Sequence, residues 1–522
     1  VVALVLAGLG MGIVEKQFFP TSDRGELLVD VQLPRGSSIQ STQAAVRRVE
    51  AFLLEQPEAQ RMSTYVGVGA PRFFLSLNPE APDPSFAKLV IQTAGQAERD
   101  ALKAKVRRAA DDGRFPEGRV RTMILELGPP SPYPVVFRVH GPQPAELRRI
   151  AEEVRAAMTG SPAVRDAHLE YGERVPELRV RFDAARLSLI GLTSEEAALQ
   201  VGAALSGRVA TQLREGNRTV DVVVRAGAAD RADAARLESA TIVTANGERV
   251  PLMNVGTIVV EPGEPMLRRW NREPFIAVRA DTADGVQPPD ATAAVLPLLE
   301  GVRSRLPAGY EIRTGGTVEE SAKANAAIAA TAPVTIGFML LFIMTQVRSF
   351  RLMALTFATA PLGLIGATLA LLLFRQPFGF VAILGLIGLA GILMRNTLIL
   401  VDQIQSDKAA GHSDYDAVVE STVRRARPVV LTALAAVFAF VPLTFSTFWG
   451  PLAFVLIGGV TVGTALTLFF LPALYALWLR VPVPDGSTDG AAGAWARGPS
   501  AGGPSAGGSA AAAPAASRVT SA

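Results

Sequence analysis

The sequence predicts an α+β membrane protein that combines a bundle of transmembrane helices with a large water-exposed part built from βαβ units. Three observations lead to this prediction. The mean hydropathy is +0.28, with 49% hydrophobic and only 19% charged residues, a composition typical of membrane proteins. Long uncharged runs are concentrated toward the ends of the 522-residue chain. Between these runs, strand and helix patterns alternate in a repeating order.

The uncharged runs predict the membrane spans. One charge at the centre of a bilayer costs about 2.5 to 3.5 kcal/mol, and a helix needs about 20 residues to cross. Residues 1–14 are uncharged but too short, so we interpret 1–17 as the end of a truncated span, with a cleaved signal peptide as the alternative. Five complete spans are predicted within 319–481. Three of them come from uncharged runs of 24 residues between Lys323 and Arg348, 23 between Arg351 and Arg375, and 19 from Gln376 to Met394. The other two share an uncharged run of 52 residues from Pro428 to Leu479.

The basic residues of the short loops predict the orientation. If residues 15–323 lie on one side of the membrane, the short loops of that side contain only Arg375. The opposite side carries Arg348, Arg351, Lys408, Arg424, Arg425, Arg427 and Arg480. By the positive-inside rule, the large water-exposed part is extracytoplasmic.

Strand and helix patterns in the water-exposed part predict two split βαβ units. The first covers 18–131 in the order β-α-β, β-α-β. The second is interrupted, with its halves at 132–176 and 273–318, so that 177–272 forms an insertion with strands and a helix of its own. Residues 482–522 are almost wholly Gly, Ala, Ser and Pro, a composition that predicts a disordered tail.

Composition also excludes several functions. The 51 basic and 48 acidic residues are too evenly balanced for a nucleic-acid-binding surface. The chain has no cysteine and three histidines, His140, His168 and His412, so we expect no disulfide, no thiol nucleophile and no nitrogen-rich metal site. No GxxxxGK[ST] motif occurs, which argues against ATP hydrolysis. We therefore expect no cofactor and no metal centre.

Four sequence strings resemble one protein family. They are FFPTSDRGELLVDVQLPRGSS, ARLSLIGLTSEEAA, GLAGILMRNTLILVDQI and RRARPVVLTALAAVFAFVPL. With the order of elements, they resemble the C-terminal half of resistance-nodulation-division (RND) efflux permeases of the acriflavine-resistance type, over residues 1 to about 481. The resemblance implies two periplasmic porter subdomains, a docking subdomain at 177–272, and an inner-membrane location.

The resemblance also implies a function. It indicates a secondary active transporter rather than an enzyme: a homotrimeric proton antiporter that exports hydrophobic or amphiphilic small molecules through a periplasmic adaptor and an outer-membrane channel. The N-terminal half of such a permease, with the membrane aspartates of its proton coupling, is the remaining partner. Heavy-metal export is one alternative, although the ten methionines are scattered. A non-transport subunit of the protein-export kind is another.

Polar residues inside two predicted spans are candidates for a proton relay. Arg395 and Asn396 lie well inside an apolar run, where ionisable residues usually face protein or water. Asp402 follows Arg395 by two helical turns, nearer the membrane interface. The resemblance adds Arg425 and Thr432, which are seven residues apart and so share a helix face. The family usually has Lys where Arg395 stands, and arginine will not itself release a proton. The alternatives are snorkelling for Arg395, a solvated acid for Asp402 and a helix–helix hydrogen bond for Thr432.

Small residues in the spans predict close helix packing. Gly385, Gly388 and Gly391 form one stripe, and Gly459 with Gly463 forms a GxxxG motif. Both patterns are more typical of packing surfaces than of functional sites.

Aromatic residues of the first unit are candidates for substrate binding. Tyr65, Phe73 and Phe74 flank the loop VGVGAPR, and an aromatic pocket beside a flexible loop suits a transporter of apolar compounds. Packing into the core of the unit is the alternative. If Phe73 and Phe74 lie on a strand, their side chains point to opposite faces, so we expect one to pack and the other to face an opening.

Overall fold

The computed structural model describes residues 2–129, 131–227 and 240–482. It begins with a short apolar helix, α1 (Val2–Ile13), and continues into two α/β units and a helical bundle. The predicted disordered tail lies outside the described residues from position 483 onward. The same holds for residues 228–239 of the insertion.

The first unit is a four-stranded antiparallel sheet with two helices. Its strands are arranged in the order β2-β3-β1-β4, the order of a split βαβ unit. Helix α2 begins where the Ser38 side chain accepts a hydrogen bond from the Ser41 N–H. Alternating apolar residues of the strands pack against both helices in one core. The elements are β1 (Glu26–Gln32), α2 (Ile39–Leu54), β2 (Arg61–Val66), β3 (Phe86–Gln92), α3 (Gln96–Asp111) and β4 (Arg119–Ile124).

The second unit begins with β5 (Val135–His140), α4 (Pro144–Thr159) and β6 (Val164–Leu169), and the chain then enters the insertion. Strands β7 and β12 form the antiparallel stem of the insertion, and α5 and α6 pack on a small core with β10. Strands β8 and β9 form a hairpin whose residues are all exposed. The elements are β7 (Val175–Phe182), α5 (Ala184–Leu189), α6 (Ser194–Leu205), β8 (Arg208–Glu215), β9 (Arg218–Val224), β10 (Thr241–Val243), β11 (Arg249–Pro251), β12 (Gly256–Gly263) and β13 (Arg268–Trp270).

The second unit is completed by β14 (Glu273–Thr282), α7 (Pro288–Arg303) and β15 (Glu311–Gly315). Its strand order is β15-β5-β14-β6, with β13 added beside β14. This is again the split βαβ order, although about a hundred residues separate its two halves. Pairing of β14 between β5 and β6 therefore rejoins the two parts of the unit across the insertion.

The helical bundle follows β15 directly. The described chain has five segments long and apolar enough to cross a membrane, besides the shorter α1, which agrees with the predicted number of spans. The helices are α8 (Gly316–Val347), α9 (Phe350–Phe357), α10 (Leu362–Leu373), α11 (Phe380–Ala409), α12 (Asp414–Phe440) and α13 (Gly450–Leu479). Helices α9 and α10 together make the second span.

Glycines hold α10, α11 and α13 in close contact. A Cβ atom on Gly458 would lie 2.5 Å from the Gly366 carbonyl oxygen, and one on Gly459 would lie 2.0 Å from a methyl group of Leu389. Gly385 also packs against α13, whereas Gly388 and Gly391 have no neighbouring atom within 4 Å of such a Cβ in the described chain. In the described chain the predicted stripe therefore packs closely only at Gly385, because no described helix covers the face of α11 that carries Gly388 and Gly391.

Candidate functional site

A charged cavity lies between the two α/β units, above the start of α8. It has a volume of about 410 Å³. Its wall contains β4, the segment after β14 and the end of the loop that joins β2 to β3. Apolar and polar residues both line it, and the charged side chains among them are Glu80, Lys103, Arg107, Arg121, Glu126, Asp281 and Asp284.

Ion pairs join the two units around this cavity. The buried Arg121 guanidinium donates two hydrogen bonds of 2.7 Å to Asp281 and one of 2.7 Å to the Pro132 carbonyl. It also lies 3.8 Å from the centre of the Tyr133 ring. Further pairs across the junction are Arg107 with Asp284, Arg119 with Asp166, and Arg165 with Asp111. The junction is therefore held largely by charge, with one buried guanidinium at its centre.

A second buried cation lies behind the cavity wall. Lys88 on β3 is fully buried, and its ammonium group contacts Glu80 and lies 3.2 Å from Asp30. Burial raises the pKa of Asp30, and the charges of Lys88 and Arg121 oppose that shift. Lys88 and Arg121 therefore favour the ionised form of Asp30, and the contact with Lys88 holds Glu80 at the cavity.

Glu126 is an acidic residue of the cavity whose proton affinity is increased by burial. Burial raises its pKa to about 7, partly offset by the charge of Arg121. Near neutral pH its carboxyl group therefore exchanges a proton readily, and it can become charged when a cation enters. Sequence reasoning missed this residue. The available signal was an acidic side chain between Leu125 and Leu127, directly after a strand.

The three predicted substrate-binding aromatics do not line the cavity. Residues 71–79 form a loop, so the expectation that Phe73 and Phe74 lie on a strand is wrong. Phe74 and Tyr65 pack together against an apolar cluster that includes Leu28 and Leu77, whereas Phe73 is 42% exposed. The loop nevertheless reaches the cavity through residues 76–80.

Two predicted relay residues lie on one open face of α11. Arg395 and Asp402 are exposed and two helical turns apart, and Gly388 and Gly391 continue the same face. Arg395 has no ion-pair partner in the part of the chain that the structure describes. Asn396 is instead buried within the bundle. The structure therefore separates Asn396 from its neighbour Arg395, because adjacent helical residues point in different directions.

Arg425 belongs to a polar network that joins α11 to α12. Its guanidinium donates hydrogen bonds of 2.6 and 3.1 Å to Gln403. Gln403 donates to Asp407, which also accepts hydrogen bonds from Ser421 and Arg424. Arg424, one of the basic residues from which the orientation was predicted, thus pairs with Asp407.

Thr432 is not part of this network. Its hydroxyl donates to the Val429 carbonyl of its own helix, at 2.9 Å. The structure therefore does not show the helix–helix hydrogen bond weighed for this residue. A threonine pair that sequence reasoning missed, Thr359 and Thr397, lies fully buried between α11 and the segment linking α9 and α10, with 2.9 Å between the hydroxyl oxygens.

Comparison with known proteins decides the family. The model of the AcrB/AcrD/AcrF family matches residues 1–478. The chain belongs to this family of RND permeases. The predicted resemblance is confirmed, as is the predicted location, because RND permeases are multipass inner-membrane proteins with periplasmic domains.

Some of the relatives are named for cation efflux and others for multidrug resistance. The chain is 27% identical to the cation efflux system protein CzcA of Alcaligenes sp. (strain CT14) over 503 residues, covering 91% of this chain and 46% of CzcA. It is 23% identical to the multidrug resistance protein MdtC of Yersinia pseudotuberculosis over 484 residues, covering 90% of this chain and 45% of MdtC. The chain thus spans about half the length of the curated relatives it matches.

A solved structure has the same fold. The crystal structure of a heavy metal efflux pump matches 92% of this chain and 50% of its own, with a TM-score of 0.71 and 23% sequence identity. The fold of the RND permease therefore extends over nearly the whole described chain.

Proposed function

We propose that this chain forms the C-terminal half of a proton-driven RND efflux permease and that substrates pass through the cavity between its two α/β units. In this proposal, 18–131 is the first porter subdomain, and 132–176 with 273–318 is the second. The insertion 177–272 is the docking subdomain. The observation that carries the proposal is a cavity of about 410 Å³ between two α/β units that are joined by ion pairs.

Carboxylates in the cavity wall support a divalent metal cation as substrate. Glu80, Glu126 and Asp281 are among the residues that line the cavity, and carboxylates are ligands for Zn²⁺ and related cations. Glu126 can bind a cation by releasing its proton near neutral pH. The names of two relatives support a metal cation as well. CzcA is a cation efflux system protein, and CnrA of Cupriavidus metallidurans, which is 27% identical to this chain, is a nickel and cobalt resistance protein.

An apolar or amphiphilic substrate is the second candidate. It is supported by the exposed Phe73 on the loop that reaches the cavity and by the name of MdtC. The two classes make opposite demands on Glu126, because neutralising a carboxylate removes a metal ligand but makes an apolar site more favourable.

Resistance assays with the complete permease test the choice. In a host without its own efflux pumps, Glu126→Gln should abolish resistance to zinc or cobalt and leave resistance to apolar dyes unchanged. Glu146→Gln, on the exposed face of α4, is the matched control and should behave as wild type. Intact zinc and cobalt resistance in Glu126→Gln, with increased dye resistance, would reverse the assignment.

For proton coupling, we propose that the open face of α11 packs against the N-terminal half and presents Arg395 to its acidic residues. A fixed positive charge there would lower the pKa of a facing carboxyl group. In the complete permease, Arg395→Ala should abolish efflux without changing insertion, and Arg395→Lys should retain it. Arg427→Ala, at another basic residue of α12 outside the proposed relay, should retain efflux. Full efflux by Arg395→Ala would contradict the relay.

The exposed β8–β9 hairpin supports an assembly role for the docking subdomain. Apolar side chains project from it, including Val209, Leu213 and Val224. We propose that it contacts a neighbouring protomer of a homotrimer, with the adaptor and outer-membrane channel engaged beyond it. Replacing Val209 and Leu213 by Ser should shift the detergent-solubilised permease from trimer to monomer in light scattering. An unchanged mass would argue against this contact.

A further inference from the structure

Three strand ends of the second unit bring one histidine and two glutamates together. His140 ends β5, and Glu311 at the start of β15 lies directly opposite it in the antiparallel pairing. On the other side, His140 is paired with Phe275 of β14, and Glu273 lies two residues earlier on the same face. The ligand atoms of the three ionisable side chains all lie within 4.8 Å of one another.

The His140 ring is buried without a hydrogen-bond partner. The residue is 2% exposed, and neither ring nitrogen is hydrogen-bonded to any described residue. The closest acidic oxygen, on Glu273, is 4.0 Å from Nδ1, too far for a hydrogen bond. Phe275 stacks against the ring at 5.5 Å. Because buried polar groups are almost always paired, an imidazole fixed by packing but left without a partner indicates a ligand.

The charge state of the cluster suits a cation. Burial and the nearby Arg313 guanidinium lower the pKa of His140, against the opposing charges of Glu311 and Glu273. This shift favours the neutral imidazole, which is the form that binds metals. Arg138 and Arg313 are the cations facing the cluster, and Arg313 pairs with Glu311. A metal would have to compete with Arg313 for one carboxylate, while the exposed Glu273 is free to turn inward.

We propose that His140, Glu273 and Glu311 form a binding site for a divalent transition-metal cation of the zinc, cobalt and nickel class. One imidazole nitrogen and two carboxylates are a donor set for these ions, with Zn–N and Zn–O distances of about 2.0 to 2.2 Å. Closing the cluster to these distances requires rotation of the two glutamates, whose side chains are 61% and 48% exposed. The remaining ligands are water molecules from the open side.

This site goes beyond the proposed transport function and does not depend on it. None of its three residues lines the cavity between the units. With only three histidines in the chain, we expected no nitrogen-rich metal site. The proposed site is compatible with that expectation, because it has one imidazole and two carboxylates. Occupancy would tie together the ends of β5, β14 and β15, at the opposite end of β15 from the start of α8.

Cobalt binding to the full chain in detergent tests the site. After removal of metals with a chelator, titration with Co²⁺ should give the visible absorption of a cobalt site with nitrogen and oxygen ligands, because the chain has no cysteine. His140→Gln and Glu311→Gln should each weaken this binding at least tenfold. His412→Gln, at an exposed histidine, is the matched control and should leave it unchanged.

Further variants separate this site from the cavity. Glu126→Gln should remove cation binding at the cavity and retain the cobalt spectrum assigned to His140, so failure of one proposal leaves the other measurable. If His140→Gln does not fold, Glu273→Gln combined with Glu311→Gln supplies the test, because both side chains are largely exposed. Absence of cobalt binding, or equal binding by wild type and this double variant, would overturn the site.

Discussion

Arg121 should be the residue on which the junction between the two units depends most. The Arg121→Met variant removes two hydrogen bonds of 2.7 Å to Asp281, a third to Pro132, and the contact with Tyr133. It also leaves Asp281 without its partner and removes a positive charge 3.9 Å from the buried Asp30. Breaking a buried ion pair by removing one partner costs about 3 to 5 kcal/mol. We therefore expect Arg121→Met to destabilise the junction by about 3 kcal/mol or more.

Hydrogen exchange of the full chain in detergent can measure this effect. At about 1.4 kcal/mol for each factor of ten, a loss of 3 kcal/mol corresponds to roughly 100-fold faster exchange. The increase should be confined to peptides from β4 and β14, which carry the pair, while the bundle helices keep their protection. Arg149→Met, which breaks only exposed pairs on α4, should cause no measurable change.

A compensating substitution provides the internal check. Arg121→Met combined with Asp281→Leu removes both members of the pair and should recover part of the protection, because no unpaired Asp281 charge remains. If exchange in β4 and β14 stays within about threefold of wild type in Arg121→Met, the junction is not held by this pair and the reasoning is refuted.

Two other predictions follow from packing. In Gly458→Leu, the new side chain would meet the Gly366 backbone, so we expect the free energy of unfolding in detergent to fall by about 1 to 3 kcal/mol. Gly388→Leu, on the open face of α11 in this chain, should leave it unchanged. Equal effects of the two changes would contradict the helix contact. Phe74→Ala should lower the free energy of unfolding by about 1 to 2 kcal/mol, because the ring packs on an apolar cluster. Phe73→Ala should change it by less than about 0.5 kcal/mol, because Phe73 is exposed. The reverse order would place Phe73 in the core.

The α/β elements and spans could be predicted because each depends on local pattern. The strand β2 (Arg61–Val66) and the helix α4 (Pro144–Thr159) lie within the predicted βαβ units, and their alternating or helical apolar positions end at turn residues.

The candidate site was less predictable because it depends on contacts between distant segments. Glu126 and Asp281 are more than 150 positions apart, and only the junction of the two units brings them to one cavity. The Phe73–Phe74 prediction failed in its geometry because it assumed a strand where the chain forms a loop. Likewise, the His140 cluster forms only when β14 pairs with β5 across the insertion.

The pH dependence of cation binding tests the role of the cavity most directly. With a pKa of about 7, Glu126 is mostly protonated and neutral at pH 6 and mostly ionised at pH 8. Because a cation binds the ionised form, affinity should rise with pH, by roughly tenfold over this range. Lys103, whose pKa is lowered by burial, and Arg121 also face the cavity, and Lys103→Met should strengthen binding without removing the rise.

The decisive measurement is zinc affinity at pH 6 and pH 8 for the full chain in detergent, in a His140→Gln background that removes the second proposed site. The account predicts that affinity rises about tenfold between the two pH values and that Glu126→Gln weakens binding and abolishes the rise. An unchanged pH profile in Glu126→Gln, or no zinc binding by either protein, would contradict the assignment of the cavity as a cation site.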